Sequence, residues 1–191
     1  TTQLNMLLLR QFISILPMLG ALLLLTYTQT KFTSYAKPIA LFIFLLSVSA
    51  VVENNLWWHV DSLAVFFTAL TLFLLDRDDQ RFGVNFALAA ASTGLTTGTK
   101  VIGLFFALTI PTYLLVGIIS KKLTWYAAIL RGAAFVGIMA AAIVISNPFL
   151  LLSGQRETMI QTLSRQSASM SEGWTLVYAK GPASWLRIIK E

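Results

Sequence analysis

The stretch that decides the fold is residues 4–27, LNMLLLRQFISILPMLGALLLLTY, in which apolar residues run almost without interruption. A run of about 20 apolar residues is long enough to cross the hydrocarbon core of a bilayer as a helix. Arg10 is the one charged residue inside this stretch. We therefore expect a membrane-spanning helix here, with Arg10 close to one of its ends.

Similar apolar runs follow along the chain, and the composition agrees with them, because only 12% of the residues are charged and 57% are hydrophobic. A soluble domain normally carries about twice that charged fraction. The further runs are residues 38–52, 62–75, 82–98, 101–119 and 125–145. The sequence predicts an all-α, polytopic transmembrane helix bundle of about six spans over residues 1–152. Residues 153–191 are predicted to form an extracytoplasmic amphipathic segment, whose last residues either lie along the membrane interface or begin a further span.

Basic residues are distributed unevenly among the short connections. Positive residues are retained on the cytoplasmic side of a membrane. Lys100 is the basic residue of the even-numbered connections, whereas the odd-numbered ones contain Lys31, Lys37, Arg77, Arg81, Lys121 and Lys122. We therefore expect a multi-pass protein of a plasma or inner membrane, with the odd connections cytoplasmic and both ends of the chain extracytoplasmic.

Composition also excludes several classes of function. The chain has no cysteine, which rules out disulfides, thiol catalysis and cysteine-ligated zinc. Its net charge of +6 comes from basic residues scattered among apolar runs, so nucleic acid is not expected as a partner. The chain begins at Thr1 with no leader pattern, which suggests part of a longer protein.

Residues 53–61, ENNLWWHVD, gather polar and aromatic groups on the predicted outer face. Asp61 suits either a helix N-cap or a catalytic, ligand-orienting role, and both readings stay open. His59 beside Trp57 and Trp58 is more typical of an interfacial residue than of a metal ligand. On the other face, the mixed charges of residues 76–81 are expected to form a solvated loop.

Two cations are candidates for binding an anionic headgroup on the outer face. Lys100, in the sequence TTGTK beside Thr96, Thr97 and Thr99, could hold a phosphate or could simply snorkel to the surface. Arg10 has the same two readings. Together with carboxylates at Glu53 and Asp61, these cations fit transfer from a lipid-linked donor. A segment of a transporter also fits, because transporters keep charges along their pathways.

Small residues and prolines predict how the helices pack. Ala90, Gly94 and Gly98 recur every four residues and predict a face where a neighbouring backbone approaches closely. Pro17 and Pro111 lie within apolar runs and predict kinks.

Four segments in a fixed order resemble the GT-C superfamily of polytopic glycosyltransferases, in its protein mannosyltransferase-like and aminoarabinose transferase-like branch. The segments are LLLRQFISIL, WWHVDSLAVFFTALTLFLL, ALAAASTGLTTGTKVIGLFFAL and NPFLLL. In that family an Arg opens an early helix, an Asp precedes an apolar helix containing Phe-Phe, a Gly-rich helix ends in Thr-Lys, and Asn-Pro-Phe closes a later span. The corresponding positions here are Arg10, Asp61, Thr99 with Lys100, and Asn147 with Pro148 and Phe149.

The resemblance implies transfer of a sugar from a polyprenyl-phosphate carrier on the extracytoplasmic face. It implies that Arg10 and Lys100 bind the lipid phosphate and that Asp61 supports the acceptor or a divalent cation. Glu53 and His59 are weaker catalytic candidates. Apart from this divalent cation no cofactor is predicted, no residues are assigned as metal ligands, and the expected partners are membrane lipid, the lipid-linked sugar and other membrane subunits.

The family's catalytic carboxylate lies in an outer loop before the helix that bears the Arg, and this sequence begins just before Arg10. A non-catalytic membrane subunit with a glycosyltransferase-like fold is therefore a further alternative.

Overall fold

The computed structural model describes residues 2–56 and 60–172. Within these ranges the chain is helical and contains no strand, so the all-α prediction is confirmed. Trp57, Trp58, His59 and the segment after residue 172, with its predicted further span, lie outside the described residues. Contacts divide the chain into two units, residues 1–147 and 148–191.

The first helix, α1 (Thr2–Thr30), contains a π-helical turn at Gln11–Ile15. This turn ends just before Pro17, which has no N–H to donate to the preceding turn of the helix. Local π-helical turns are a common response to such an interruption. Where a kink is predicted at Pro17, the structure has a π-helical turn, which begins directly after Arg10.

The second predicted span, residues 38–52, is wrong as a single helix. The structure has α2 (Ala36–Leu46) and α3 (Ser49–Leu56), separated at Ser47. The Ser47 hydroxyl donates to the carbonyl of Phe44 at 2.7 Å, and the Ser47 N–H donates to the carbonyl of Ile43 at 3.0 Å. A serine that bonds to nearby carbonyls offers the backbone an alternative to continuing the helix.

Helices α4 (Asp61–Asp78) and α5 (Val84–Thr99) form an antiparallel pair in the middle of the unit. Hydroxyl groups connect them, with Ser92 Oγ donating to the carbonyl of Phe67 at 2.8 Å. Helix α1 runs parallel to α4, because Gly20 faces Phe66 and Lys31 pairs with Asp76.

After α5 the chain forms a 3-10 helix (Val101–Leu108) that continues as α6 (Thr109–Ile119) and is followed by α7 (Trp125–Ser146). Pro111 lies in the first turn of α6, where its missing N–H costs little. The kink predicted inside a helix at Pro111 therefore coincides with a helix start.

Helix α7 packs against the small-residue face of α5, as predicted. A Cβ added at Gly94 would lie 2.6 Å from Ala142 Cβ, and one added at Gly98 would lie 2.7 Å from Asn147 Nδ2. Ala90 is completely buried. The small side chains let the two backbones approach closely, so no larger side chain fits there.

The unit has two well-defined ends. Lys31 binds Asp76 at one end, where Lys122 also lies 3.4 Å from Asp79. Lys100 binds Asp61 at the other end. Asp61 and Asp76 are about 22 Å apart along α4, at 1.5 Å of rise per residue. Lys31 and Lys100 therefore lie at opposite ends.

Two helices among the described residues are long and apolar enough to span a membrane, Thr2–Thr30 and Trp125–Ser146. Only 22% of the most apolar window of each is buried, so most residues of these windows are at least partly exposed. The apolar helices Ala36–Leu46 and Gly103–Ile119 are shorter. The prediction of about six spans therefore stays a prediction.

In the second unit, a 3-10 turn (Pro148–Leu151) precedes α8 (Ser153–Glu172). Helix α8 is largely exposed, and Met159 and Ile160 lie on its surface with Leu163 partly buried. This agrees with a polar surface helix.

Candidate functional site

Lys100 stands where α5 ends. Its backbone is extended, with φ −150° and ψ 127°. Its N–H donates to the carbonyl of Thr96 at 2.9 Å, and its own carbonyl accepts from the N–H of Gly103 at 2.8 Å. These bonds turn the chain from α5 into the 3-10 helix. A cation at a helix C-terminus is also favoured by the helix dipole.

The threonines around Lys100 do not form a set of phosphate donors. The hydroxyls of Thr96, Thr97 and Thr99 each donate to a carbonyl one helical turn earlier, at distances between 2.8 and 3.1 Å. Their protons are therefore used by the helix itself, because a hydroxyl has one proton to donate. Of the residues in TTGTK, this leaves the Lys100 ammonium as the donor for an anion.

Asp61 opens α4 and meets Lys100 directly. The N-cap of α4 is Val60, so the reading of Asp61 as the cap is wrong by one position. Its Oδ1 accepts a hydrogen bond from Lys100 Nζ at 2.5 Å, across 39 residues of sequence. The side chains of Lys100 and Asp61 are 40% and 34% exposed. Such a pair contributes only about 0–1 kcal/mol, so opening it costs little.

A cavity of about 450 Å³ opens beside this ion pair. Asp61, Lys100 and Thr96 line one part of it, and the hydroxyl of Thr68 is already bonded to the carbonyl of Ala64. Its apolar lining includes Leu25, Val65, Ala69, Leu72 and Phe106. The lining follows α4 from Asp61 to Leu72, about 16 Å of helix. The cavity can therefore hold an apolar chain whose charged group remains near Lys100.

Asn147 lies at the same end of the unit as Lys100. It is the C-cap of α7, and its Nδ2 donates to the carbonyl of Gly98 at 3.0 Å. This bond ties the end of α7 to the last turn of α5. The asparagine of the NPFLLL segment therefore has a structural role, holding the helix that presents Lys100.

The structure places two of the remaining predicted site residues, Arg10 and Glu53, on other elements than Asp61 and Lys100. Arg10 is partly buried and adjoins the π-helical turn, which packs against α3 and α4. Glu53 is exposed on α3. His59 lies outside the described residues. The structure thus brings Asp61 and Lys100 into contact and puts Arg10 and Glu53 on neighbouring elements.

The prediction of a solvated loop at residues 76–81 is wrong for Asp78. Asp78 is 2% exposed and accepts hydrogen bonds from the N–H groups of Phe82 and Gly83, at 2.8 and 3.0 Å. The hydroxyl of Tyr113 donates to the same carboxylate at 2.9 Å. This cluster joins the end of α4 to the start of α5 and to α6. The available signal was an Asp shortly before a Gly that precedes a helix.

Among residues 2–56 and 60–172, no group of three or more His, Cys, Asp or Glu residues is placed to hold a metal ion. Comparisons with known proteins found no match: no family model, no curated protein and no solved structure matches this chain. The resemblance to GT-C glycosyltransferases therefore rests on the residues of the sequence itself.

Proposed function

We propose that this chain is a membrane-spanning part of a glycosyltransferase that takes its sugar from a polyprenyl-phosphate carrier. The observation that carries the proposal is the Asp61–Lys100 ion pair beside a largely apolar cavity. A polyprenyl-phosphate sugar has the matching composition, with a charged phosphate next to a long hydrocarbon chain.

The donor phosphate would replace Asp61 as the partner of Lys100. Because the ion pair is partly exposed and contributes little, a phosphate can compete for the ammonium group. The polyprenyl chain would follow α4 along the apolar lining toward Leu72. Arg10, next to the π-helical turn, would supply a second cation, and π-helical turns are frequent at functional sites.

Donor binding would release the Asp61 carboxylate for a role in transfer. An acceptor hydroxyl would attack the anomeric carbon while the bond from that carbon to the phosphate oxygen breaks. Asp61 would orient the acceptor and receive its proton. Lys100 would stabilise the negative charge that the leaving phosphate gains. Glu53 remains a weaker candidate, and the upstream carboxylate implied by the resemblance would come from a longer chain or another membrane subunit.

The same proposal includes about six spans, with the Lys31 end in the cytoplasm and the Lys100 end outside. Helices α1 and α7 have the length and composition of spans. The 3-10 helix lengthens the fifth apolar segment, because it rises about 2.0 Å per residue and α6 rises about 1.5 Å, giving about 32 Å in all. The opposite placement of Lys31 and Lys100 supports this topology.

A binding comparison tests the function. The purified full chain should bind polyprenyl phosphate about 10- to 100-fold more tightly than polyprenol of the same length, because a hydrogen bond to a charged group contributes about 1.5–3 kcal/mol. Dissociation constants for both lipids, with phosphatidic acid as a control for phosphate on another lipid, give the result. Equal affinity for polyprenyl phosphate and polyprenol would refute the proposal.

A further inference from the structure

A second cavity, of about 370 Å³, lies between α1 and α2 near the Lys31 end of the first unit. Its lining is largely apolar and includes Leu23, Phe32, Ile39, Phe42 and Ile43. Cavities of this size and composition are typical of sites for small apolar ligands, which are usually oriented by a few polar groups. Thr26, Ser34 and Tyr35 supply the hydroxyl groups here.

Thr26 is the unusual member of this lining. It is 1% exposed, and its hydroxyl has no hydrogen-bond partner within the part of the chain that the structure describes. The hydroxyls of Thr28 and Thr30, on the same helix, each donate to a carbonyl one turn earlier at 2.8 Å. A buried hydroxyl without a partner is costly and calls for an explanation.

The depth of Thr26 indicates which group could satisfy it. Thr26 lies about 7.5 Å below Lys31 along α1. The headgroup region on each side of a bilayer is about 5–7 Å thick. With Lys31 at the level of lipid phosphates, Thr26 therefore lies where the ester carbonyls of a phospholipid meet the hydrocarbon.

We propose that this cleft binds one diacyl phospholipid, with the Thr26 hydroxyl donating to an ester carbonyl and an acyl chain lying along Ile39 and Phe42. Because the Thr26 hydroxyl is buried in the structure, we expect lipid binding to turn it into the cleft by rotation between staggered positions of χ1. Lys31, at the same end, pairs with Asp76 but keeps a side chain that is 45% exposed, so a lipid phosphate can compete with Asp76 for its ammonium group. The site uses no residue of the proposed transferase site and does not depend on sugar transfer, although it rests on the membrane-spanning arrangement proposed above.

The test pairs one change in the protein with one change in the lipid. The delipidated full chain is titrated with a diester phospholipid and with its diether analogue, which lacks the ester carbonyls, and binding is measured by native mass spectrometry. The wild-type chain should bind the diester about two- to tenfold more tightly, the size expected for one hydrogen bond. This preference should vanish in Thr26→Val and persist in Thr28→Val, whose lost hydroxyl bonds only to its own helix.

Thermal unfolding without lipid is the second measurement. Thr26→Val should then be at least as stable as the wild-type chain, because an unpartnered hydroxyl is replaced by a methyl group of similar size. The proposal is overturned if the wild-type chain does not distinguish diester from diether, if the preference survives in Thr26→Val, or if Thr26→Val is less stable without lipid.

Discussion

Replacing Lys100 with glutamine is expected to weaken the binding of polyprenyl phosphate by about 10- to 100-fold, because a charged hydrogen-bond donor to the phosphate is lost. Binding of polyprenol should hardly change. Arg10→Gln should act in the same direction. Dissociation constants measured with the purified full chain provide the result, and Lys37→Gln, which removes an exposed charge from α2, is the matched control.

Asp61→Asn should have the opposite effect on binding. The Asp61 carboxylate accepts a hydrogen bond from the ammonium group of Lys100, so removing the charge of Asp61 leaves that ammonium group available to phosphate. Because a partly exposed ion pair contributes at most about 1 kcal/mol, the gain should not exceed about fivefold. If the ion pair were purely structural, Lys100→Gln and Asp61→Asn would not change the affinity for polyprenyl phosphate in opposite directions. Unchanged affinity in Lys100→Gln, or a comparable loss in both variants, contradicts the phosphate assignment.

Asp78→Ala is expected to lower the free energy of unfolding by about 3 kcal/mol. The change leaves two backbone N–H groups and the hydroxyl of Tyr113 without their acceptor. Unfolding in detergent by heat or by added denaturing surfactant measures the loss.

The neighbouring residue provides the control for Asp78. Asp79 has a side chain that is 69% exposed and lies 3.4 Å from Lys122 Nζ. Asp79→Asn, which keeps a residue that tolerates the left-handed backbone at φ 48°, should therefore change stability by no more than about 0.5 kcal/mol. Similar losses in Asp78→Ala and Asp79→Asn would show that the buried hydrogen bonds of Asp78 do not hold the helices together.

Counting apolar runs was enough to predict which residues share an end of the bundle. Each run reverses the direction of the chain, so Asp61 and Lys100 were expected together and Lys31 opposite them. The structure has this arrangement. The seam at Gly94 and Gly98 was also predictable, because small residues four apart on one helix face invite a close neighbour.

Features that depend on individual side-chain bonds were not predictable. The break at Ser47 depends on where one hydroxyl donates. The burial of Asp78 depends on Tyr113, which is distant in sequence. The direct contact of Lys100 with Asp61 depends on the tilt and rotation of two helices, which periodicity does not specify. The sequence does not distinguish Thr26 from other helical threonines, because its distinguishing feature is a buried hydroxyl with no partner among the described residues.

Cysteine labelling in sealed vesicles tests most directly whether the Lys100 end faces away from the cytoplasm. The chain has no cysteine of its own, so Ser34→Cys near Lys31 and Val101→Cys next to Lys100 each introduce a unique thiol. Both positions are exposed. A membrane-impermeant maleimide added outside should label Val101→Cys at once and Ser34→Cys only after the membrane is permeabilised. Labelling of both positions from the same side would contradict the bundle and, with it, the proposed site.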